Sequence, residues 1–448
     1  MNKGGARSRG ARAAVASSRS MDAAPNDAPA QPALATAAAL WATLIIAAWL
    51  TGEHLYDADP RIHVGASPLV GSYDLRVGAL ALPAVALGIA GVAFAPLSAT
   101  RLRFKTLLFA SWAGSLTWAL ALAVSDGAGA IAEPLERRYE YLTAVPLVGD
   151  DPLGFVRGYV DALPTYATHV RGHPPGMVLL LWALDQVGIG GAQAAAIFVV
   201  AVGALAAPAA LVTLRELADE PRARAAAPFL VLLPAAVWAA TSADSLFAGV
   251  LACGAALFAL ATGRHDRRGD ALALASGVGL GAGLALSYSA GPFGAVVLAI
   301  ALLRGSVRPL LFAAAGVFAV LGAFALAGFW WHDGLAATRE MALDGVQSRR
   351  PYLEFLLISI AAFVLALGPA PAAGLTGLRD RATRFLVCGA LVAVGFAALS
   401  GLSRGETERI WLPFTPWIAL AAAGLGRGWL AAQVALALAL QIGVRSPW

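Results

Sequence analysis

The segment THVRGHPPGMVLLLWALDQVG, Thr168 to Gly188, sets a basic, histidine-bearing run against the start of a short apolar helix. Pro174 and Pro175 fix backbone φ and remove two donors. A helix launched behind them turns its free N–H groups toward the preceding loop, and such a terminus attracts anions. Arg171 stands beside it. His169 and His173 are four residues apart, a spacing for two metal ligands only if the helix is regular; the proline after His173 works against that. Three other clusters have similar chemistry. In QSRRPY, Arg349 and Arg350 precede an apolar run, where paired guanidiniums suit either a phosphate or bilayer headgroups. In GETERIWLPFTPW, Glu406, Glu408 and Arg409 stand at the mouth of a run that carries Pro413 and Pro416, either as a polar site or as an interfacial Trp/Arg anchor. Asp244, in TSADS, separates two further apolar runs. Together these groups describe a site for a charged or polar substrate.

The elements that hold them must be membrane helices. The 448 residues are 59% hydrophobic and 13% charged, with a mean hydropathy of +0.71. Soluble domains carry about one quarter charged residues. The apolar runs are continuous rather than alternating, which excludes a strand barrel. Cys253 and Cys388 both lie inside apolar runs, so neither a structural disulfide nor a CxxC metal site is expected. No metal ligand set is assigned. No nucleic-acid partner is expected, and the lipid bilayer is one partner.

Apolar runs long enough to span begin near residues 33, 77, 104, 192, 227, 245, 271, 292, 309, 355, 384, 410 and 428. Residues 1–32 read as a disordered cytoplasmic tail, and 33–448 as a single transmembrane domain. The loops RLRFK, RELADEPRAR, GRHDRRGD, RGSVR, RDRATR and GRG alternate with acid- and histidine-rich loops. If the N-terminus is inside, the inner loops hold 20 Lys+Arg against 8 Asp+Glu, and the outer ones 12 against 19. This separation follows the excess of basic residues in cytoplasmic loops. It requires that residues 174–187 do not cross: 14 residues of helix reach about 21 Å, short of the ~30 Å hydrocarbon core. The expected fold is therefore an all-α polytopic membrane protein with about 13 transmembrane helices and the N-terminus in. It has one long external loop, 125–191, carrying interfacial helices.

Span three, Asp126, PLERRYEYL, RGHPPGMVLLLW, TSADSLF and ERIWLPFTPW, in that order, resemble the GT-C superfamily of membrane glycosyltransferases. The likeness is to bacterial relatives of protein O-mannosyltransferases and the lipid A aminoarabinose transferase, and it covers roughly residues 104 to 425. It implies sugar transfer from a polyprenyl-phosphate donor to a glycan or protein acceptor on the outer face of the cell membrane. The catalytic carboxylate implied is Asp126, with Asp59 of YDADPRIHVG as rival and Glu140 and Asp150 behind them. His169, Arg171, His173, Asp244, Arg349, Arg350, Glu408 and Arg409 are the candidate substrate-binding residues. No cofactor is assigned, and a divalent cation is compatible. Two spans precede the family-like start, and Asp126 stands alone where the family often has an acid pair. The rival classes are a lipid or envelope-precursor transporter and a non-catalytic GT-C-like protein. A transporter places ionisable residues near the bilayer midplane, whereas these spans are almost free of charge.

Overall fold

A computed structural model describes residues 31–240 and 242–447. The tail expected over 1–32 lies outside them, apart from its last two residues, which open the first helix. The chain is helical, and eight of the described helices are long and apolar enough to cross a membrane. These are Gln31–Ala58, Ala79–Arg101, Phe104–Val124, Ala192–Leu217, Ala243–Thr262, Arg267–Leu286, Arg308–Leu326 and Arg381–Ser400. Tyr352–Leu367 and Pro369–Leu375 make a ninth if the 96° bend between them is counted within one span. Thirteen unbroken spans are not present among the described residues. Prolines account for most of the difference. Pro228 lies inside the short helix Glu220–Val231, Pro292 interrupts Tyr288–Arg304, and Pro413 and Pro416 divide Leu412–Ala422 into one-turn pieces. A proline removes a ladder hydrogen bond and crowds the preceding turn.

Small residues set the closest helix contacts. A Cβ at Gly277 would sit 1.9 Å from the carbonyl oxygen of Ala313, and one at Gly249 would sit 2.0 Å from that of Val202. Backbones thus touch where helix 267–286 meets 308–326 and where 243–262 meets 192–203. This packing replaces the hydrophobic drive that lipid does not supply.

The bend at Gly368 is closed by one side chain. Gln433 is fully buried; its Nε2 donates to the Leu367 carbonyl at 2.9 Å, and its Oε1 accepts from the Ala370 amide at 3.3 Å. Gly368 has φ +78°, and a Cβ there would meet Gln433 Oε1 at 1.9 Å. Broken helices at membrane depth need their freed backbone groups satisfied; here an amide does so, and no charge is involved. Gln433→Leu strands one carbonyl and one amide. Each stranded group costs ~1–3 kcal/mol, so unfolding in detergent should show a loss of about 2–6 kcal/mol. An unchanged midpoint would mean that the bend does not depend on this amide.

The loops gather into two sets. In one, Arg224 donates to the carbonyls of Ala99 and Leu102 at 2.7 and 2.8 Å. There too, Arg308 pairs with Asp270 at 2.7 Å, Arg304 with Glu216 at 3.5 Å and Arg222 with Asp380 at 3.6 Å. These are the basic loops of the sequence. In the other set, Val64–Gly65 pairs in parallel with Gly71–Tyr73, which pairs antiparallel with Val444–Arg445. That small sheet ties the loop after the first helix to the segment after the last.

The stretch 125–191 belongs to the second set and is ordered. It is a chain of short helices whose Tyr141, Phe155, Tyr159, Leu163 and Met177 form a buried core with Phe247 and Phe329. Its last helix, Gly176–Gln186, has only 11 residues, as the non-spanning reading requires. Gly176 sits against the end of helix 267–286: a Cβ there would lie 2.3 Å from the Ala285 carbonyl oxygen. The glycine of HPPG is what lets the short helix dock.

Candidate functional site

The second set of loops converges on a buried ion-pair network. Ser242 caps helix Ala243–Thr262, its hydroxyl accepting from the Asp244 amide and donating to Asp244 Oδ2 at 2.6 Å. That holds Asp244, 1% exposed, in the first turn, where the helix dipole favours a carboxylate. Arg409 reaches the same oxygen at 2.8 Å and Glu406 at 2.6 Å. It also approaches His169 Nε2 at 3.2 Å. Arginine only donates, so Nε2 accepts. Nδ1 then carries the proton directed at Glu140, 2.6 Å away. One guanidinium therefore joins residues from three distant parts of the chain and fixes the histidine tautomer.

Glu406 is the network's open edge. Its backbone lies in the left-handed region at φ +63°, as does that of His63. This conformation is uncommon without glycine and concentrates at functional sites. Burial acts to raise the Glu406 pKa, but Arg409 and Arg350 outweigh it and hold the carboxyl below its ordinary value. Glu406 and His63 both line a cavity of about 610 Å³, together with Tyr139, His169, Arg137, Arg350 and Arg445. A smaller cavity, about 180 Å³, is lined by Arg76, Asp126 and Glu133, and it shares Arg137, Arg445 and Ser446 with the larger one.

The residues singled out in the sequence separate into groups. Glu140, His169, Asp244 and Arg409 come together in the network. Glu408 is fully buried beside it, near enough to act on the charge of Arg350. Asp126 lies apart, its carboxylate 2.5 Å from Arg76 and 3.0 Å from Gln441, in the smaller cavity. Asp59 caps a short turn and pairs with Arg61 at 2.6 Å on the surface. Asp150 is exposed. The Arg349–Arg350 pair splits. Arg349 is exposed, whereas Arg350 is buried and donates to the Ile62 carbonyl at 2.9 Å and to that of Arg404. Arg171 is half-buried, and its carbonyl accepts from Thr338 at 2.9 Å. His173 does not pair with His169 as a second metal ligand; its Nδ1 faces the His169 carbonyl at 2.8 Å. Among the described residues no group of three or more His, Cys, Asp or Glu is placed to hold a metal ion.

Sequence reasoning quoted Glu406 but left it out of the site, and passed over Tyr139, Arg137, Arg76 and Arg445. Glu406 had a signal: it stands three residues before Arg409, on the same side of one turn. The others become neighbours only through the small sheet and the ordered loop.

His173 carries a pH dependence. Burial among Tyr141 and Phe247 lowers its pKa from 6.5 to about 4. Between those values the unfolded chain binds the extra proton and the folded one does not, so stability falls as pH drops from 6.5 through about 4. The expected contribution is ~3 kcal/mol. His173→Phe should be less sensitive to acid over that window in thermal unfolding. A wild type and variant with parallel profiles would rule out this histidine as the source.

No family model and no curated protein matches this chain.

Proposed function

We propose that the protein is a GT-C-like membrane glycosyltransferase that takes a sugar from a polyprenyl-phosphate donor at the outer face of the cell membrane. The observation that carries this reading is the 610 Å³ cavity, lined by three arginines against the single carboxylate of Glu406 and backed by the Arg409 network. It lies among the acid- and histidine-rich loops. In the proposed topology the N-terminus is inside and those loops are outside. The chain crosses thirteen times, with the short and broken segments 220–239, 288–304, 407–422 and 427–443 completing the eight long helices and the bent pair.

In the proposed reaction, an acceptor hydroxyl oxygen forms a bond to the anomeric carbon while the bond from that carbon to phosphate oxygen breaks. The hydroxyl proton passes to a carboxylate. The polyprenyl phosphate leaves with the electron pair, and cations hold its added charge. Asp126 is the proposed base. It opens onto the smaller cavity, with 28% of its side chain exposed, beside the wall that both cavities share. Glu140 is buried against His169, and Asp59, paired with Arg61 on the surface, lines neither cavity. Arg409, Asp244 and Glu140 are positioning residues that hold His169 and Glu406 at the cavity. The bilayer supplies a path for the donor's lipid chain.

The test is transfer of labelled sugar by the purified protein from a set of polyprenyl-phosphate sugars to membrane-extract acceptors. Labelled product that depends on Asp126 supports the reading. A transport reading would instead need charged groups near the middle of the spans; Asp244, Glu408 and Arg409 stand at span ends, and the bend at Gly368 is satisfied by an uncharged amide.

A further inference from the structure

Arg445 lines both cavities. Its placement is built. Its strand pairs with Gly71–Tyr73, and Gly71, at φ +144°, leaves no room for a Cβ, which would lie 2.3 Å from the Arg445 carbonyl oxygen. The amides of Asp74 and Arg76 donate to the carbonyls of Gly443 and Ile442 at 3.1 and 2.8 Å. The Arg76 side chain holds the Val444 carbonyl at 2.5 Å. On the far side, the Tyr139 hydroxyl donates to the Pro447 carbonyl at 3.1 Å. The segment after the last helix is therefore a strap stitched along the wall of both cavities.

The guanidiniums around the larger cavity differ in what they have left to offer. Arg350 is 1% exposed and committed to the carbonyls of Ile62 and Arg404. Arg445 is 65% exposed, and its approach to Asp74 is 3.9 Å, too long for a hydrogen bond. Arg137 donates to Tyr139 Oη at 3.1 Å and, more weakly, to the exposed Glu133 at 3.3 Å. Guanidinium donors in a fixed fork match phosphate oxygens.

We propose that Arg445, carried by the strap, and Arg137, carried by the ordered loop, form a phosphate clamp at the wall between the two cavities. The clamp rests on the glycosyltransferase reading only for the identity of its ligand. It moves the phosphate contact away from Arg349 and Arg350. Two sources share this chemistry, the phosphate of a polyprenyl lipid and that of a bulk phospholipid headgroup.

The test is binding of undecaprenyl phosphate to the full chain in zwitterionic nanodiscs, read by native mass spectrometry and repeated with added phosphatidylglycerol. Arg445→Gln and Arg137→Gln should each weaken binding by about tenfold or more. Arg445→Lys should recover part of the loss, and Arg349→Gln should bind as wild type. Competition by phosphatidylglycerol at equal affinity would keep the clamp and assign it to headgroups; no competition assigns it to the polyprenyl lipid. Wild-type binding in both Arg445→Gln and Arg137→Gln, with melting curves unchanged, overturns the clamp. If sugar transfer is nonetheless observed, the enzyme reading survives that result. If binding depends on Arg445 but no donor is ever turned over, the clamp stands and the enzyme reading falls.

Discussion

Arg409→Met should destabilise the fold by about 3–5 kcal/mol, the cost of removing one partner from a buried charge pair. The loss follows from what the guanidinium leaves behind. Asp244, 1% exposed, keeps only the Ser242 hydroxyl and amide capping contacts, and Glu406 and His169 lose their common donor. Replacing Asp244 by Leu as well should return part of the stability, because apolar pairs of similar volume often replace buried ions at little cost. Chemical unfolding in detergent of the wild type, the single variant and the double variant checks both statements. A double variant less stable than Arg409→Met would show that Asp244 is held by something other than this arginine. If the pair is instead retained to orient His169, the double variant will fold and still bind donor poorly.

How much of this could be read beforehand varied with distance along the chain. The short helix after Pro174 was legible because its length alone forbids a crossing, and it has 11 residues. The grouping of the loops was legible in their charges, and basic loops do contact basic loops. The span count was not. Pro228, Pro292 and Pro416 are plain in the sequence, but mean hydropathy passes over them, while the backbone cannot. Asp244 and Arg409 were each noticed alone. Their partnership joins residues 165 positions apart, and no periodicity or spacing records such a contact. Arg445 was invisible for a related reason. Its place depends on a two-residue strand pairing with a three-residue one, far too short to leave an alternating pattern.

Asp126→Asn should lower sugar transfer by ~10²–10⁴-fold, the usual effect of removing a general base. Donor binding should change little, because the base acts only as the transition state forms. The fold should tolerate the change. Asp126 is part exposed, and Arg76 keeps its contacts with the carbonyls of Gln441 and Val444. Asp59→Asn is the control, since it removes a surface ion pair while asparagine still caps the turn at Arg61, and pairs of that kind contribute little to stability. Glu140→Gln should act through His169, with a larger effect on stability than Asp126→Asn.

The most direct measurement of the central claim is single-turnover transfer by wild type, Asp126→Asn and Asp59→Asn, each loaded with a polyprenyl-phosphate sugar and matched for bound donor. The expected result is product from wild type and Asp59→Asn, and about a hundredfold less or lower still from Asp126→Asn. Equal product from Asp126→Asn and wild type would contradict the assignment of the base. No product from any of the three, across the donor set and with donor bound, would contradict glycosyl transfer itself.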